Sequence, residues 1–277
     1  MKLILLFFLV NIASSSISRQ FEQFLNRRYG AAVARQIKRA DLGRGGSFGG
    51  GKNGRGRHKP VILVHGITNT AGTFQRNRKY FLNHGYWDNE VYGTTYGDGG
   101  RTNVLFVSME CHYVKSIRML IQAVADYTSS KVNIIAYSMG SPIARKAILG
   151  GTCVDTGANL GPPLTGLVDT FVGVAGANFG SALCVIPFGS CNMVNGMNCN
   201  SRFLANINAR RRYEGRSIFT IYSRNDDKVG FQTCGRVASA ITGQNRAFER
   251  NGKNHDQVIF NTIHLQYNLV THGREGK

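Results

Sequence analysis

The stretch from Lys131 to Leu149, KVNIIAYSMGSPIARKAIL, combines a strand pattern and a helix pattern around one serine. Val132 to Ala136 is a short apolar run with β-branched residues, which is typical of a buried strand and too short for a core helix. The pattern becomes helical at Ser141-Pro142, and proline is well tolerated in a first helical turn. Ser138 is therefore predicted to lie on a tight turn between a strand and a helix.

A serine on such a turn is a candidate nucleophile. The turn lifts its hydroxyl above a parallel sheet and directs the N-terminus of a helix at the reacting group. Small residues are needed two positions before and after the serine, because larger side chains would collide across the turn, and Ala136 and Gly140 meet this requirement. Ser-x-Gly also occurs in ordinary turns, so the flanking strand and helix carry the prediction.

A second buried strand is predicted at Val61 to Val64, directly before His65-Gly66. Its continuous apolar run is expected for a strand that is covered on both faces. In hydrolases with a nucleophile elbow, the loop after such a strand supplies one of two backbone N–H groups that bind the oxyanion. We predict that Ile67 supplies one donor and that Met139 supplies the other. His65 is interpreted as a residue that shapes the loop, not as an acid or base.

A serine hydroxyl needs a base to take its proton and a third group to orient that base. In this architecture the acid follows the serine along the chain, and the histidine comes last. Asp226 and Asp227 directly follow the last clear predicted strand, Ser217 to Tyr222, and spacing alone does not separate them. His255 precedes a predicted amphipathic helix from Val258 to Leu269 and is the predicted base.

Two other histidines follow the candidate acids. His264 falls within the predicted last helix, and His272 falls in a polar tail. His255 is preferred because catalytic residues are concentrated on loops that a rigid scaffold positions.

The order of elements predicts a single α/β domain. A helical pattern from His112 to Thr128 leads into the strand at Val132, and another buried strand is predicted from Val168 to Ala175. A helix between strands implies a right-handed crossover, so we predict a mainly parallel central sheet with helices on both faces. The sequence has no internal repeat.

The chain begins with Lys2 and an apolar run from Leu3 to Val10, followed by small residues from Ala13 to Ser16. The run is too short to cross a bilayer as a mature helix, which needs about 20 apolar residues. We assign residues 1–18 to a signal peptide and predict secretion.

Six cysteines in a secreted chain favour disulfides over metal ligation. Cys184, Cys191 and Cys199 lie close together in a polar, Gly-rich segment, so at least one bridge is predicted to fix that loop. No pair has the spacing of a zinc site, and no metal is expected.

Residues 19–59 form a basic arm in which Glu22 and Asp41 are the acidic residues. Phe21 to Ala40 has apolar residues at loosely helical spacing, whereas the rest of the arm is rich in Gly and Arg and has no apolar period. This predicts a short surface helix and a flexible linker, followed by the α/β domain at residues 60–277.

The chain has 34 Lys and Arg against 15 Asp and Glu, a formal net charge of +19. Such a charge favours anionic surfaces and polyanions in a salt-dependent manner. For the basic arm we prefer a solvated tether, with docking on an anionic membrane or polysaccharide as an alternative. Arg-Gly runs also occur in RNA-binding tails, but the signal peptide argues against nucleic acid. The chain is expected to be a monomer.

Five motifs in order resemble those of the class 2 secreted lipases: VILVHGIT, VNIIAYSMGSPIARKAILGG, VDTFVGVAGANFG, FTIYSRNDDKVG and NHDQVIF. They are most similar to the nematode-type branch, which is related to small bacterial triacylglycerol lipases. The resemblance covers Pro60 to the last predicted helix. It implies a compact α/β-hydrolase fold with Ser138, Asp226 and His255 as the triad and the amides of Ile67 and Met139 as the oxyanion hole.

The resemblance also bears on the choice between the two aspartates. In that family the acid lies four residues after the tyrosine of a Tyr-Ser segment, and counting from Tyr222 gives Asp226. The family also carries alanine at the first small position of the elbow, as Ala136 does here. The basic arm and the cysteine-rich loop depart from the pattern of the small bacterial relatives.

Together these observations predict a secreted carboxylic ester hydrolase that acts on lipid esters at an interface, without a metal or organic cofactor. The apolar residues within Phe179 to Ser201 suit either the border of an acyl-chain cleft or a packed loop held by a disulfide. Phospholipase and short-chain esterase activities are alternatives within the same chemistry. A non-catalytic lipid-binding or surface-binding protein on the same scaffold is the alternative from another class.

Overall fold

A computed structural model describes residues 16–51 and 56–276. The predicted signal peptide therefore lies outside the described residues except for positions 16–18. Within the described part of the chain, no helix is both long enough and apolar enough to span a membrane.

The described helices and strands are as follows. The helices are α1 (Arg19–Tyr29), α2 (Ala31–Lys38), α3 (Gln75–Asn83), α4 (Cys111–Thr128), α5 (Gly140–Leu149), α6 (Arg202–Asn208), α7 (His255–Asn261) and α8 (Ile263–His272). The strands are β1 (Ser47–Phe48), β2 (Val61–Val64), β3 (Val91–Thr94), β4 (Val132–Tyr137), β5 (Gly151–Thr152), β6 (Asn159–Gly161), β7 (Val168–Val174), β8 (Ser217–Tyr222), β9 (Gln232–Thr233), β10 (Arg236–Val237) and β11 (Arg246–Glu249).

The described residues form one main sheet of seven strands in the order β1-β3-β2-β4-β7-β8-β11. All neighbours in this sheet are parallel except β1, which runs antiparallel to β3. The predicted mainly parallel α/β fold is thus confirmed. Strand β4, which leads to Ser138, lies at the centre of the sheet, where neighbours on both sides fix its direction.

Alternate residues of the central strands face two different helical layers. Ile62 and Ile134 pack in a core cluster that includes residues of α1, α2, α4, α5 and α6. Val61 and Ile135 face the other way, into a cluster that includes residues of α3, α7 and α8. This alternation, with both faces buried, explains why these strands read as continuous apolar runs.

Two features of the C-terminal third differ from the sequence prediction. The last clear predicted strand, Ser217 to Tyr222, is β8, and the structure has a further strand, β11, that pairs in parallel with it. Its sequence, RAFE, has charged residues at both ends, as suits an edge strand. The predicted helix over Val258 to Leu269 is two helices, α7 and α8, that meet at Thr262, which has a non-helical backbone.

The described part of the basic arm differs from the single short helix and flexible linker that the sequence predicted. Its described part, residues 19–51 and 56–59, includes α1, α2 and β1. Phe21 and Ile37 are fully buried in the core, and Phe48 is buried where β1 pairs with β3. The inward-facing apolar residues of this part are Phe21 and Leu25 of α1 and Ala34 and Ile37 of α2.

Two glycines of this arm permit close packing. Gly49 and Gly50 have φ of 114° and 87°, a region that favours glycine. A Cβ at Gly49 would lie 2.6 Å from the carbonyl oxygen of Val91, and one at Gly50 would lie 2.6 Å from the Cβ of Phe21. Composition alone does not distinguish this use of glycine from a flexible linker.

All six cysteines are paired, as Cys111–Cys153, Cys184–Cys191 and Cys199–Cys234. The prediction of disulfides is confirmed. Two of the three bridges attach to the segment between Cys184 and Cys199, which has few regular elements and lies beside the site described below.

Replacing Gly50 with alanine tests whether the arm is part of the fold. Gly30 is a matched control, because its φ of 89° is close to that of Gly50 but nothing lies within 4 Å of its Cβ position. Both variants acquire backbone strain of about 1–3 kcal/mol, and G50A also acquires a steric clash that costs about 1–3 kcal/mol more. Urea unfolding should show the larger loss of stability in G50A. Equal losses would contradict the described packing.

Candidate active site

Ser138 lies on the sharp turn that the sequence predicted, between β4 and α5. Its φ of 55° is in the left-handed region, which is uncommon for a residue with a side chain. Its main-chain N–H donates to the carbonyl of Val174 at 3.0 Å, which anchors the turn to the neighbouring strand β7. The turn therefore holds the Ser138 hydroxyl at the carboxyl end of the sheet.

The turn depends on two glycines. A Cβ at Gly140 would lie 2.1 Å from the carbonyl oxygen of His65, and a Cβ at Gly66 would lie 2.9 Å from the Cβ of Ser138. The loop after β2 and the turn after β4 are thus in contact at a distance that side chains would not allow. The requirement for a small residue after the serine is explained by this contact.

The structure brings the three predicted side chains together. His255 Nε2 lies 2.9 Å from Ser138 Oγ, and His255 Nδ1 lies 2.8 Å from Asp226 Oδ2. All three residues are buried. Because the Asp226 carboxylate accepts the proton of Nδ1, the unprotonated Nε2 of neutral His255 faces the serine hydroxyl.

The two adjacent aspartates have different partners. Asp226 Oδ1 accepts main-chain N–H groups from Lys228, Val229 and Gly230, which fixes the carboxylate and leaves Oδ2 for the imidazole. Asp227 Oδ1 accepts the main-chain N–H of His255 at 2.9 Å. Asp227, the alternative acid, therefore holds the histidine's backbone and does not contact its ring.

The other histidines do not join this group. His264 lies on α8, where its ring contacts Tyr80 and Asn268. His65 is buried, and the N–H of Tyr96 donates to its Nε2 while Nδ1 contacts the carbonyl of Gly66. Burial lowers the pKa of His65 to about 4. His65 is therefore neutral near pH 7 and holds the loop after β2, as the sequence predicted.

The main-chain N–H groups of Ile67 and Met139 were predicted to bind the oxyanion. Ile67 lines the cavity beside Ser138, and Met139 directly follows Ser138 at the start of α5. Neither N–H donates to any acceptor within residues 16–51 and 56–276. Two such donors beside a candidate nucleophile match what a developing oxyanion would need.

Ser138 and His255 open into a cavity of about 680 Å³. Its lining includes apolar side chains from five segments: Ile67, Val104, Leu105, Leu183, Met197, Val229, Ile259 and Phe260. Polar lining is contributed by residues such as Thr68, Asn69 and Thr73 on one loop and Lys228 and Asp256 beside the histidine. This volume and mainly apolar lining suit an organic ligand with an apolar portion.

Two segments with exposed apolar side chains border this cavity, and we define them together as the apolar rim, residues 104–106 and 183–188. Its exposed large side chains are Val104, Leu105, Phe106, Leu183, Val185, Ile186 and Phe188. The two segments meet where the Phe106 and Phe188 rings pack edge to face, with centroids 6.0 Å apart. The Cys184–Cys191 disulfide fixes the second segment.

Sequence reasoning found only half of this rim. It identified the apolar residues of the cysteine-rich loop, but it assigned no role to residues 104–106. The structure has a short 3-10 helix at Val104–Phe106, and all three side chains are exposed. The apolar triplet Val104-Leu105-Phe106, placed directly after a polar turn, was the available signal.

The described residues contain one group of possible metal ligands, formed by Cys111, Cys153 and Asp155. The two cysteines are joined in a disulfide, so their sulfurs are not free thiolates.

Residues 58–268 match the family model described as lipase (class 2). The chain belongs to the class 2 lipase family. The resemblance seen in the sequence is thereby confirmed at the level of this family, and a carboxylic ester hydrolase of the lipolytic type is supported.

Solved structures of other lipases and esterases share the fold. Lipase B of Aspergillus fumigatus matches with a TM-score of 0.60 at 18% identity, over 83% of this chain and 56% of that one. The mature lipase of Bacillus licheniformis matches with a TM-score of 0.55 at 12% identity, over 81% and 97% of the two chains. This class 2 lipase family member thus has the fold of α/β-hydrolase lipases. Its match spans little more than half of the Aspergillus enzyme.

Replacement of each aspartate by asparagine separates their roles. D226N should lower kcat about 10⁴-fold, because the amide favours the wrong tautomer of His255. D227N should cost about fivefold or less, since it weakens one hydrogen bond to a main-chain N–H, worth about 1 kcal/mol. Hydrolysis of p-nitrophenyl butyrate measures both, with thermal unfolding as the control for folding. A larger loss in D227N than in D226N would reverse the assignment.

Proposed function

We propose that this protein is a secreted serine lipase that hydrolyses acylglycerol esters through an acyl-enzyme. The observation that carries the proposal is the hydrogen-bonded series Ser138–His255–Asp226 at the base of an apolar cavity. The signal-peptide pattern and the three disulfides support secretion.

In the first half of the reaction, Ser138 Oγ attacks the ester carbonyl while His255 Nε2 takes the hydroxyl proton. The new C–O bond gives a tetrahedral intermediate whose oxyanion is bound by the N–H groups of Ile67 and Met139. His255 then gives its proton to the leaving alcohol, and an acyl-Ser138 ester remains. Asp226 stabilises the imidazolium and keeps its orientation throughout.

In the second half, a water molecule takes the place of the alcohol. His255 Nε2 removes a proton from this water, whose oxygen attacks the acyl-enzyme carbonyl. Collapse of the second tetrahedral intermediate returns the proton from His255 to Ser138 and releases a carboxylic acid. The cycle consumes one water and needs no other reactant.

The apolar rim supports a substrate that is presented at a lipid surface. From Thr170 to Ser201 the chain contains no charged residue, although the whole protein has a net charge of +19. Val185 and Ile186 are 83% and 74% exposed, and they directly follow Leu183 and Cys184, which line the cavity. A contiguous apolar surface of this kind marks an interaction site, and it is continuous with the candidate nucleophile.

Exposed basic residues of α1 and α2, including Arg19, Arg27 and Arg35, support attraction to anionic lipid surfaces. Phospholipid is therefore the second candidate substrate. Rates on triacylglycerol emulsions, anionic phospholipid vesicles and short soluble esters, measured at two salt concentrations, separate a lipase from a phospholipase and from a short-chain esterase.

Ser138→Ala tests the chemistry against the alternative of a non-catalytic lipid-binding protein. The variant should fold, because among residues 16–51 and 56–276 Ser138 Oγ hydrogen-bonds to the candidate base alone, and it should lose ester hydrolysis. A fluorophosphonate probe should label the wild type at Ser138 and leave S138A unlabelled, as mass spectrometry of the modified peptide would show. A folded wild-type protein that takes no label would leave a binding protein as the better interpretation.

A double variant of the rim, Val185→Ser with Ile186→Ser, tests the lipid surface. Each exposed apolar side chain that enters lipid contributes about 1.5–3 kcal/mol to the free energy of adsorption. The variant should therefore adsorb more weakly and lose most of its activity on emulsions. Its kcat on a soluble ester should be unchanged. Trp87→Ser is the control, because Trp87 is an exposed large apolar side chain that lies outside the apolar rim. Equal losses on emulsion and soluble ester in the double variant would contradict the role of the rim.

A further inference from the structure

Asp256, the residue after His255, joins two side chains beside the triad. Tyr137 Oη donates to Asp256 Oδ1 at 2.8 Å, and Lys228 Nζ donates to Asp256 Oδ2 at 2.7 Å. All three side chains line the cavity that contains Ser138. Sequence analysis assigned none of them a role.

Each member of this group comes from a different segment of the candidate site. Tyr137 directly precedes Ser138 at the end of β4, and Asp256 directly follows His255 at the start of α7. Lys228 belongs to the loop of Asp226, and its main-chain N–H donates to Asp226 Oδ1 at 3.0 Å. One carboxylate therefore links the segments that carry the nucleophile, the base and the acid.

The Tyr137 ring also fixes the position of the imidazole. Its centroid lies 4.9 Å from that of His255, with the two planes at 34°. On another side the ring approaches Gly66, where a Cβ would lie 3.1 Å from it. The Tyr137 ring thus occupies the space between the imidazole and the oxyanion loop, and its hydroxyl bond to Asp256 restricts its rotation.

We propose that Asp256 is a positioning residue of the active site, which acts through Tyr137 and Lys228 to hold the His255 ring in line with Ser138 Oγ. The proposal rests on the proposed Ser138–His255–Asp226 mechanism. A purely structural alternative is that Asp256, as an acidic residue in the first turn of α7, only stabilises the helix through its dipole. That alternative does not account for the two hydrogen bonds that cross to other segments.

The charge of Asp256 adds an electrostatic contribution. Burial tends to raise the pKa of Asp256, but hydrogen bonds from Lys228 and Tyr137 and the charge of protonated His255 bring it below its usual value. Because such coupling is reciprocal, the Asp256 carboxylate stabilises the imidazolium that forms during the reaction. The negative charges of Asp226 and Asp227 also lie close to His255, and the positive charge of Lys228 partly offsets the negative charge around the ring.

Two variants separate positioning from charge. Asp256→Asn removes the carboxylate charge, and Tyr137→Phe keeps the ring but removes the donor to Asp256. Both should lower kcat about 10-fold with KM unchanged, because small errors in alignment slow the chemical step more than they weaken binding. The rate of covalent inactivation by a fluorophosphonate should fall to a similar extent. In D256N alone, the acidic limb of the kcat/KM profile should move to lower pH, since a charge that favours protonated His255 is lost.

A matched control lies elsewhere on the molecule. Tyr29 Oη donates to Asp126 Oδ2 at 2.5 Å, and Arg28 pairs with the same carboxylate. This group also joins a tyrosine and a basic residue through one aspartate, but its residues do not line the cavity. Asp126→Asn should leave kcat, the inactivation rate and the pH profile unchanged. Thermal unfolding of all variants checks their folding.

The positioning role is overturned if folded D256N and Y137F both react like D126N. If D256N does not fold, Y137F decides the question alone: a tenfold lower kcat supports the role, and a wild-type kcat overturns it. Failure of the proposed mechanism itself has a different signature, since the wild type would then take no fluorophosphonate label at Ser138.

Discussion

The left-handed backbone at Ser138 is the constraint on which the rest of the site depends. Such a conformation is unfavourable for a residue with a side chain, and it persists only where surrounding structure enforces it. Here the enforcement comes from the central position of β4, the anchor to β7 and the contacts that Gly66 and Gly140 permit. These same contacts bring the loop after β2 against the turn of Ser138, so that one packing arrangement shapes both the candidate nucleophile and the loop of Ile67.

The order of strands explains how distant residues meet. Ser138 follows β4 and Asp226 follows β8, two strands separated in the sheet only by β7. His255 begins the helix after β11, which pairs with β8. Because these strands are parallel, their carboxyl ends lie at one edge, and short loops suffice to bring a hydroxyl, an imidazole and a carboxylate into contact. Chain positions more than a hundred residues apart thus become neighbours through strand order alone.

Much of this site could be predicted from sequence because the chemistry prescribes residue types, and the fold prescribes their order. The buried strands at Val61 and Val132 were visible as apolar runs. The choice between Asp226 and Asp227 was not visible from spacing, because adjacent residues share a turn and differ only in the direction of their side chains. The basic arm was misinterpreted, because a glycine-rich composition is found both in tightly packed segments and in flexible linkers. The link through Asp256 depends on three-dimensional contacts that leave no pattern in sequence.

The short strand β1 has a wider effect than its two residues suggest. It covers the outer edge of β3, which would otherwise present unpaired backbone groups to water. At the opposite edge, β11 carries Arg246 and Glu249, whose charges discourage pairing with another chain. The N-terminal segment is therefore also a guard against self-assembly. Its removal by proteolysis would expose the edge of β3 to pairing with a strand of another chain, and the protein would then aggregate.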